Sequence, residues 1–197
     1  MQKEGTKILL IAFLLESALA LIFFVWAWKT DFRDALYPGF GDLCAAFGFA
    51  IFLCAINIVL FHYLARRYRY FDRGIYFIDT FVKPLADSLS IGAAVLVSVF
   101  AGVGEELFFR GVLQNEIGLL AASALFSFFH FGTAIKSFWS VGVLYFLFGL
   151  SFGLLYQFSA TLWVPLLAHA IYDFLALMYL RFFYTKSLGQ ELDCLVH

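Results

Sequence analysis

A short charged run, GEELFFRG at Gly104 to Gly111, lies within sequence that is otherwise apolar. Carboxylates act as general bases in hydrolysis, and arginine can hold a carboxylate or stabilise developing negative charge. Glu106 and Arg110 lie one helical turn apart, so they can form an ion pair that lowers the cost of burying both. Glu105 points about 100° away around the helix. We therefore expect Glu106 and Arg110 to be a structural pair, and Glu105 to be the free base.

Four more ionisable residues interrupt apolar runs, namely Glu16, His130, His169 and Asp173. Such side chains are costly in hydrocarbon, so they usually face a partner or a wet cavity. A single histidine there is more often a packing residue than a catalyst, and Glu16 has no partner that the sequence names. Phe126 lies one turn before His130, where we expect it to pack against the imidazole and fix its rotamer.

Helix lengths predict that these residues meet at one depth. At 1.5 Å per residue, Glu105 lies about 16 Å before a turn near Glu116, and His130 about 16 Å after it. His169 lies about 12 Å beyond a turn at Thr161, on the same side of the membrane. Asp173 follows His169 by one turn. The sequence therefore predicts a glutamate and two histidines at one level, nearer the outer face.

The composition excludes a soluble domain. Of 197 residues, 63% are hydrophobic and 14% are charged, and the mean hydropathy is +0.90. The apolar runs suit helices that cross a hydrocarbon core of about 30 Å. We predict an all-α, polytopic transmembrane helical bundle with about six spans and an interfacial segment. With a net charge of -1 and no basic patch, nucleic acid is not an expected partner.

The spans are predicted at Ile8 to Trp28, Leu43 to Leu64, a third helix from near Pro84 to Ser90 through the charged run, Leu119 to Phe131, Val141 to Phe158, and Leu162 to Phe183. An interfacial segment covers Tyr70 to Ser88, and turns fall at Asn115 to Gly118 and at Ser159 to Thr161. We expect three regions: 1–88 with two spans and the interfacial segment, 89–184 as a four-helix catalytic core, and 185–197 as a short tail.

Basic residues predict the orientation, because cytoplasmic loops are enriched in lysine and arginine. With both termini in the cytoplasm, only Lys29 and Arg33 fall in outer loops. The cytoplasmic side then holds Lys3, Lys7, Arg66, Arg67, Arg69, Arg73, Lys83, Lys136, Arg181 and Lys186.

Three motifs in order carry a family resemblance: EELFFR fits EExxxR, FSFFH fits FxxxH, and HAIYD fits HxxxN/D. Together they resemble the CAAX protease and bacteriocin-processing family of intramembrane proteases, which includes the type 2 CAAX prenyl endopeptidases. The resemblance covers roughly Leu89 to Leu180. It implies that Glu105 is the general base, that His130 helps it to activate a water, and that His169 stabilises the oxyanion.

Glu106 and Arg110 match the electrostatic part of the first motif. Asp173 stands where prenyl endopeptidases typically have asparagine, and an ionised aspartate cannot donate a hydrogen bond to an oxyanion. Either burial keeps Asp173 protonated, or it accepts from His169 and fixes the tautomer of that ring. We favour the second role.

The resemblance implies a glutamate-type intramembrane endopeptidase that needs no cofactor. The alternative is a metalloenzyme in which Glu105, His130 and His169 hold Zn²⁺. The sequence has neither HExxH nor GxSxG.

The inferred orientation is similar to that of myxosortase-like bacterial sorting peptidases. It favours a bacterial or archaeal cell membrane, with lipids and a transmembrane or lipid-modified C-terminal tail as partners. Three other functions remain open: a prenyl endopeptidase on the cytosolic face, a non-catalytic binding or immunity protein, and an ion-coupled transporter.

Overall fold

The computed structural model describes residues 2–34, 37–61, 72–131 and 139–185, and these ranges fold as helices joined by short turns. We number the helices α1 Gln2–Thr30, α2 Phe40–Val59, α3 residues 72–88, α4 Ile91–Ile117, α5 Leu119–Phe131, α6 Trp139–Ser159 and α7 Trp163–Phe182. The described ranges contain no strand. The predicted all-α polytopic bundle is confirmed.

Five of the described helices, α1, α2, α4, α6 and α7, are long and apolar enough to cross a membrane. The predicted fourth span, α5, is apolar but has only 13 residues. A helix of that length is about 20 Å long, which is shorter than a typical hydrocarbon core. The protein is therefore an integral membrane protein, and α5 is shorter than its five long described helices.

Two helix boundaries differ from the prediction. The turn expected over Asn115 to Gly118 is confined to Gly118, whose φ of 83° lies in the left-handed region that favours glycine. Asn115 stays helical, and its amide donates to the Arg110 carbonyl at 3.0 Å. Pro84 belongs to α3, whereas α4 begins after Ser90, whose hydroxyl accepts from the Ala93 N–H at 3.2 Å.

The helix α4 changes its winding inside the charged run. It is α-helical from Ile91 to Glu106, becomes π-helical over Leu107–Leu113, and is α-helical again to Ile117. Such wide turns are rare in helices and frequently occur at functional sites. This one starts directly after the two glutamates, so it sets how they are presented to the neighbouring helices.

Glycines let α4 lie close to two other helices. A Cβ on Gly102 would fall 2.8 Å from the Ala170 nitrogen of α7, and one on Gly104 would fall 2.7 Å from the Glu16 carbonyl oxygen of α1. Small residues at such contacts allow close packing of membrane helices. The charged helix is therefore held between the first helix and the last.

Apolar residues on α2, α6 and α7 pack into one core that includes Leu53, Phe152 and Val164. A second core joins α3 and α4 to α7 through Ala86, Ala94 and Leu177. The first two spans thus pack directly on the region predicted as the catalytic core, although the predicted division into three regions stays a prediction. The interfacial location of α3 also stays a prediction.

Several predicted features lie outside the described residues. These are the end of the second span at 62–64, the basic residues at 66, 67, 69 and 136, and the tail from 186 onwards.

Candidate active site

The Glu106 and Arg110 side chains form the predicted ion pair in the interior of the bundle. Arg110 Nε donates to Glu106 Oε2 at 2.9 Å, and both side chains are 0% exposed. The Arg110 guanidinium also lies over the Phe126 ring, 5.1 Å from its centroid. The pair is therefore fixed by α4 itself and by a ring of α5.

Glu106 has a second contact that the sequence did not predict. Its Oε1 lies 2.8 Å from His169 Nδ1, so the carboxylate joins Arg110 of α4 to the imidazole of α7. A carboxylate at Nδ1 holds a proton on that nitrogen and orients the ring. The position of Glu106 in the first motif gives no signal of this, because the contact depends on how α4 and α7 pack.

Asp173 lies close to His169, at a different ring nitrogen from Glu106. Asp173 Oδ2 lies 3.5 Å from His169 Nε2, which is longer than a typical hydrogen bond. Glu106 occupies Nδ1, and the role predicted for Asp173, fixing the tautomer of His169, stays a prediction. Asp173 is on the same helix as His169 and reaches one edge of the ring, while Glu106 reaches the other edge from the facing helix.

His130 presents its ring to Glu105. Its Nδ1 lies 2.8 Å from the Phe126 carbonyl oxygen and can donate to it, which leaves Nε2 turned toward Glu105 Oε1 at 3.5 Å. The imidazole lies between the rings of Phe126 and Tyr145, with centroid distances of 4.5 Å and 4.7 Å. The predicted packing of Phe126 on His130 is present, and Tyr145 is a neighbour that the sequence did not indicate.

Glu105 therefore faces two imidazoles. His169 Nε2 lies 4.0 Å from Glu105 Oε2, whereas His130 lies closest to the other carboxylate oxygen, Oε1. The Glu105 side chain is 13% exposed, whereas Glu106 is fully buried. The sequence correctly predicted that these three side chains meet and that Glu105 is the freer carboxylate. Their catalytic roles stay predictions.

The predicted depth of the site, nearer the outer face, stays a prediction. Glu105 lies close to the middle of Ile91–Ile117, whereas His169 lies nearer the start than the end of α7. Positions along the helices therefore assign the site to neither face of the membrane.

The donor set suits Zn²⁺ chemically, since it contains a carboxylate and two imidazole nitrogens. Within the described ranges, however, no group of three or more His, Cys, Asp or Glu side chains is arranged to hold a metal ion. The expectation of a metal-free site stays a prediction, and no step below depends on a metal ion.

Some buried polar atoms at the site have no hydrogen-bond partner among the described residues. They are Glu105 Oε2, Arg110 Nη1 and Glu16 Oε2. Buried polar groups in native proteins are normally satisfied, so such atoms mark places where water or substrate can bind. Glu16 was noted in the sequence without a partner, and its contact with Gly104 now places it beside the site.

An apolar cavity of about 540 Å³ adjoins the site. Tyr145, Tyr172 and Asp173 line its end near the histidines, and Tyr184 lines it near the end of the last helix. The Asn57 amide donates to the Tyr172 hydroxyl and fixes that ring in the wall. The cavity could hold an apolar segment with one end beside Asp173.

The fold and the site define a polytopic helical membrane protein with a buried glutamate and histidine centre. Residues 87–175 match the family described as "Type II CAAX prenyl endopeptidase Rce1-like". This match confirms the resemblance drawn from the three motifs and extends over less than half of the chain. The matched segment contains Glu105, His130 and His169, but not α1 or α2.

One curated protein with a similar sequence is the uncharacterized protein YpbD of Bacillus subtilis (strain 168). The two are 32% identical over 104 residues, which is 53% of this chain and 54% of that protein. The chain thus spans about half the length of this relative. No solved structure gives a significant match.

Proposed function

We propose that this protein is an intramembrane endopeptidase in which Glu105 activates a water molecule for attack on a peptide bond. The observation that carries the proposal is the position of the Glu105 carboxylate between two imidazole nitrogens, at 3.5 Å and 4.0 Å, inside a membrane bundle. The family match over these residues supports the same reaction class.

In the proposed reaction, the water donates one hydrogen to Glu105 while its oxygen attacks the scissile carbonyl carbon. His130, with Nδ1 engaged by the Phe126 carbonyl, accepts a hydrogen bond at Nε2 from the second O–H of the water, and that hydrogen stays on the attacking oxygen. The C=O electron pair moves onto oxygen, and His169 donates from Nε2 to that oxyanion. Glu105 then passes its proton to the leaving nitrogen, and the C–N bond breaks to give a carboxylic acid and an amine.

Glu106 and Arg110 support this step without contact with the substrate. Glu106 accepts from His169 Nδ1 at 2.8 Å and stabilises the doubly protonated ring that the proposed donation from Nε2 requires. Arg110 offsets the charge of Glu106 within the interior of the bundle. A donor whose position is fixed before the reaction stabilises the oxyanion without reorganisation during the step.

The proposed substrate is the transmembrane or lipid-modified C-terminal tail of another protein. The apolar cavity beside Asp173 supports this class, because it can hold a hydrocarbon chain or an apolar segment next to the reacting atoms. The charge distribution of the loops supports an outward-facing site with cytoplasmic termini. No cofactor is part of the proposal.

A prenyl-protein endopeptidase acting on the cytosolic face is the second candidate. Two observations favour it: the name of the matching family and the course of the cavity toward Tyr184. The two candidates share the chemistry and differ in the substrate tail and in the face from which it enters.

A reconstituted assay separates these candidates. The purified protein in liposomes is given two labelled peptides, one with a C-terminal apolar anchor and one with a farnesylated CAAX end. Glu105→Gln and His130→Ala should each reduce cleavage by about 10²-fold or more, the range for a lost general base. Ser151→Ala is the matched control, because its hydroxyl donates to the Leu147 carbonyl of its own helix.

Cleavage of the anchor peptide supports the sorting role, and cleavage of only the farnesylated peptide supports the second candidate. Undiminished cleavage by the Glu105 and His130 variants contradicts the catalytic assignment. Loss of wild-type activity with a chelator, restored by Zn²⁺, contradicts the metal-free mechanism.

A further inference from the structure

Glu16 is a buried carboxylate that the reaction above does not use. It lies on α1, outside the segment that matches the family, and its exposure is 8%. None of the described residues donates a hydrogen bond to its Oε2. The family match therefore gives this side chain no role, and the described part of the chain gives its Oε2 no hydrogen-bond donor.

The glycine at the start of the charged run places Glu16 beside the base. The Glu16 carboxylate lies against Gly104 so closely that a Cβ there would collide with Oε2 and with the Glu16 backbone oxygen. Glu105 is the next residue on α4. Glu16 is near enough to interact electrostatically with four site residues: Glu105, His130, His169 and Asp173.

An unpaired carboxylate in this position is costly. Burying a charged or polar group without a hydrogen-bond partner destabilises a protein, and the cost is greater in a bundle surrounded by hydrocarbon. A leucine of similar volume would occupy the same position without an unsatisfied carboxylate. A residue that weakens the fold beside a catalytic base is therefore best explained by contact with the substrate.

The substrate itself supplies the missing donor. In lipid every backbone N–H must be hydrogen-bonded, and a helix that unwinds for cleavage loses its own acceptors near the scissile bond. Resting on the proposed peptidase function, we propose that Glu16 accepts a hydrogen bond from the N–H of the scissile amide. The same carboxylate then holds the leaving amine after the C–N bond breaks, and only Glu105 exchanges a proton.

The test compares kcat/KM of Glu16→Leu and of wild type on two anchor peptides that differ only at the scissile bond. One has the scissile amide, and the other has an ester at that bond, which lacks the N–H. We expect Glu16→Leu to lower kcat/KM on the amide by about tenfold or more, the effect of one lost hydrogen bond. On the ester the change should be less than about twofold, because no N–H is present to lose.

Thermal unfolding in detergent gives a second readout, since Glu16→Leu should raise Tm by removing an unsatisfied carboxylate. Asp79→Asn is the control, because Asp79 is also a buried acid whose two oxygens lack partners in the described part of the chain, and it lies on α3. It should leave the ratio of amide to ester cleavage unchanged.

Equal losses on amide and ester, or an unchanged amide rate, would overturn the role of Glu16 while the peptidase proposal stands. A fall in Tm with Glu16→Leu would also overturn it by showing a structural role. No cleavage of either peptide by wild type would instead overturn the peptidase proposal itself.

Discussion

Glu106 has two partners, and changes at Glu106 and Arg110 can separate its effect on stability from its effect on His169. Arg110→Met removes the cation and leaves a fully buried carboxylate without its counter-charge. Breaking a buried pair from one side costs about 3–5 kcal/mol. In a chain of this size each kcal/mol lowers Tm by about 2–4 °C, so the expected loss is roughly 6–20 °C.

Glu106→Leu should destabilise by a similar amount, since it leaves Arg110 unpaired. The double variant Glu106→Leu with Arg110→Met places apolar groups at both positions. Replacing a buried ion pair by apolar side chains is often neutral or stabilising. We therefore expect the double variant to recover most of the Tm that each single variant loses.

Activity should not recover with stability. In the double variant His169 Nδ1 has lost its acceptor, so the imidazole is no longer held for donation to the oxyanion. We expect kcat to stay reduced by about 10²-fold, as for a lost oxyanion donor. Thermal unfolding followed by tryptophan fluorescence and kcat on the anchor peptide measure the two effects. A double variant that is as unstable as the singles, or one with wild-type kcat, would refute this account of Glu106.

Three further changes test the packing around the site. Gly104→Ala should lower both Tm and activity by forcing Glu16 and α1 away from α4, and an unchanged Tm would contradict the close contact. Ala176→Phe should raise KM for the anchor peptide by about tenfold, since it fills part of the cavity, while an unchanged KM would show that the substrate binds elsewhere. Asp34→Ala should cost about 1 kcal/mol in unfolding experiments, because Asp34 accepts from the Leu162 N–H at the start of α7 at 2.7 Å. No loss would show that this cap is dispensable.

The helices could be predicted because a membrane imposes a simple requirement on the sequence. Apolar runs of about 20 residues correspond to α1, α2, α6 and α7. The ends of α6 and α7 differ from the prediction by at most two residues, whereas α1 begins six residues earlier than predicted. The π-helical turn over Leu107–Leu113 could not be predicted, because no residue type marks it. Asn115 remained helical for a related reason, since its side chain bonds backbone carbonyls of its own helix.

The site was predictable where helical geometry determines it. The spacing of one helical turn predicted the ion pair between Glu106 and Arg110. Residue counts from shared turns predicted that Glu105 lies close to His130 and His169. Contacts that depend on the rotation and tilt of packed helices could not be predicted from the sequence. The Glu106–His169 hydrogen bond is the main example.

The close contact between Glu16 and Gly104 had a weak signal in the sequence. Gly104 directly precedes the two glutamates, and a glycine inside a membrane helix often marks a close helix contact. That pattern says that some group approaches α4 there. It does not identify which helix approaches or that a carboxylate comes with it.

The central claim is that Glu105 is the general base. Its most direct test compares the rates at which wild type and Glu105→Gln cleave the labelled anchor peptide in the same liposomes. Glutamine keeps the size of the side chain but cannot take a proton from water. The account predicts a defined product with wild type and a rate at least about 10²-fold lower with the variant, at an unchanged fold. Equal rates for the two proteins would contradict it.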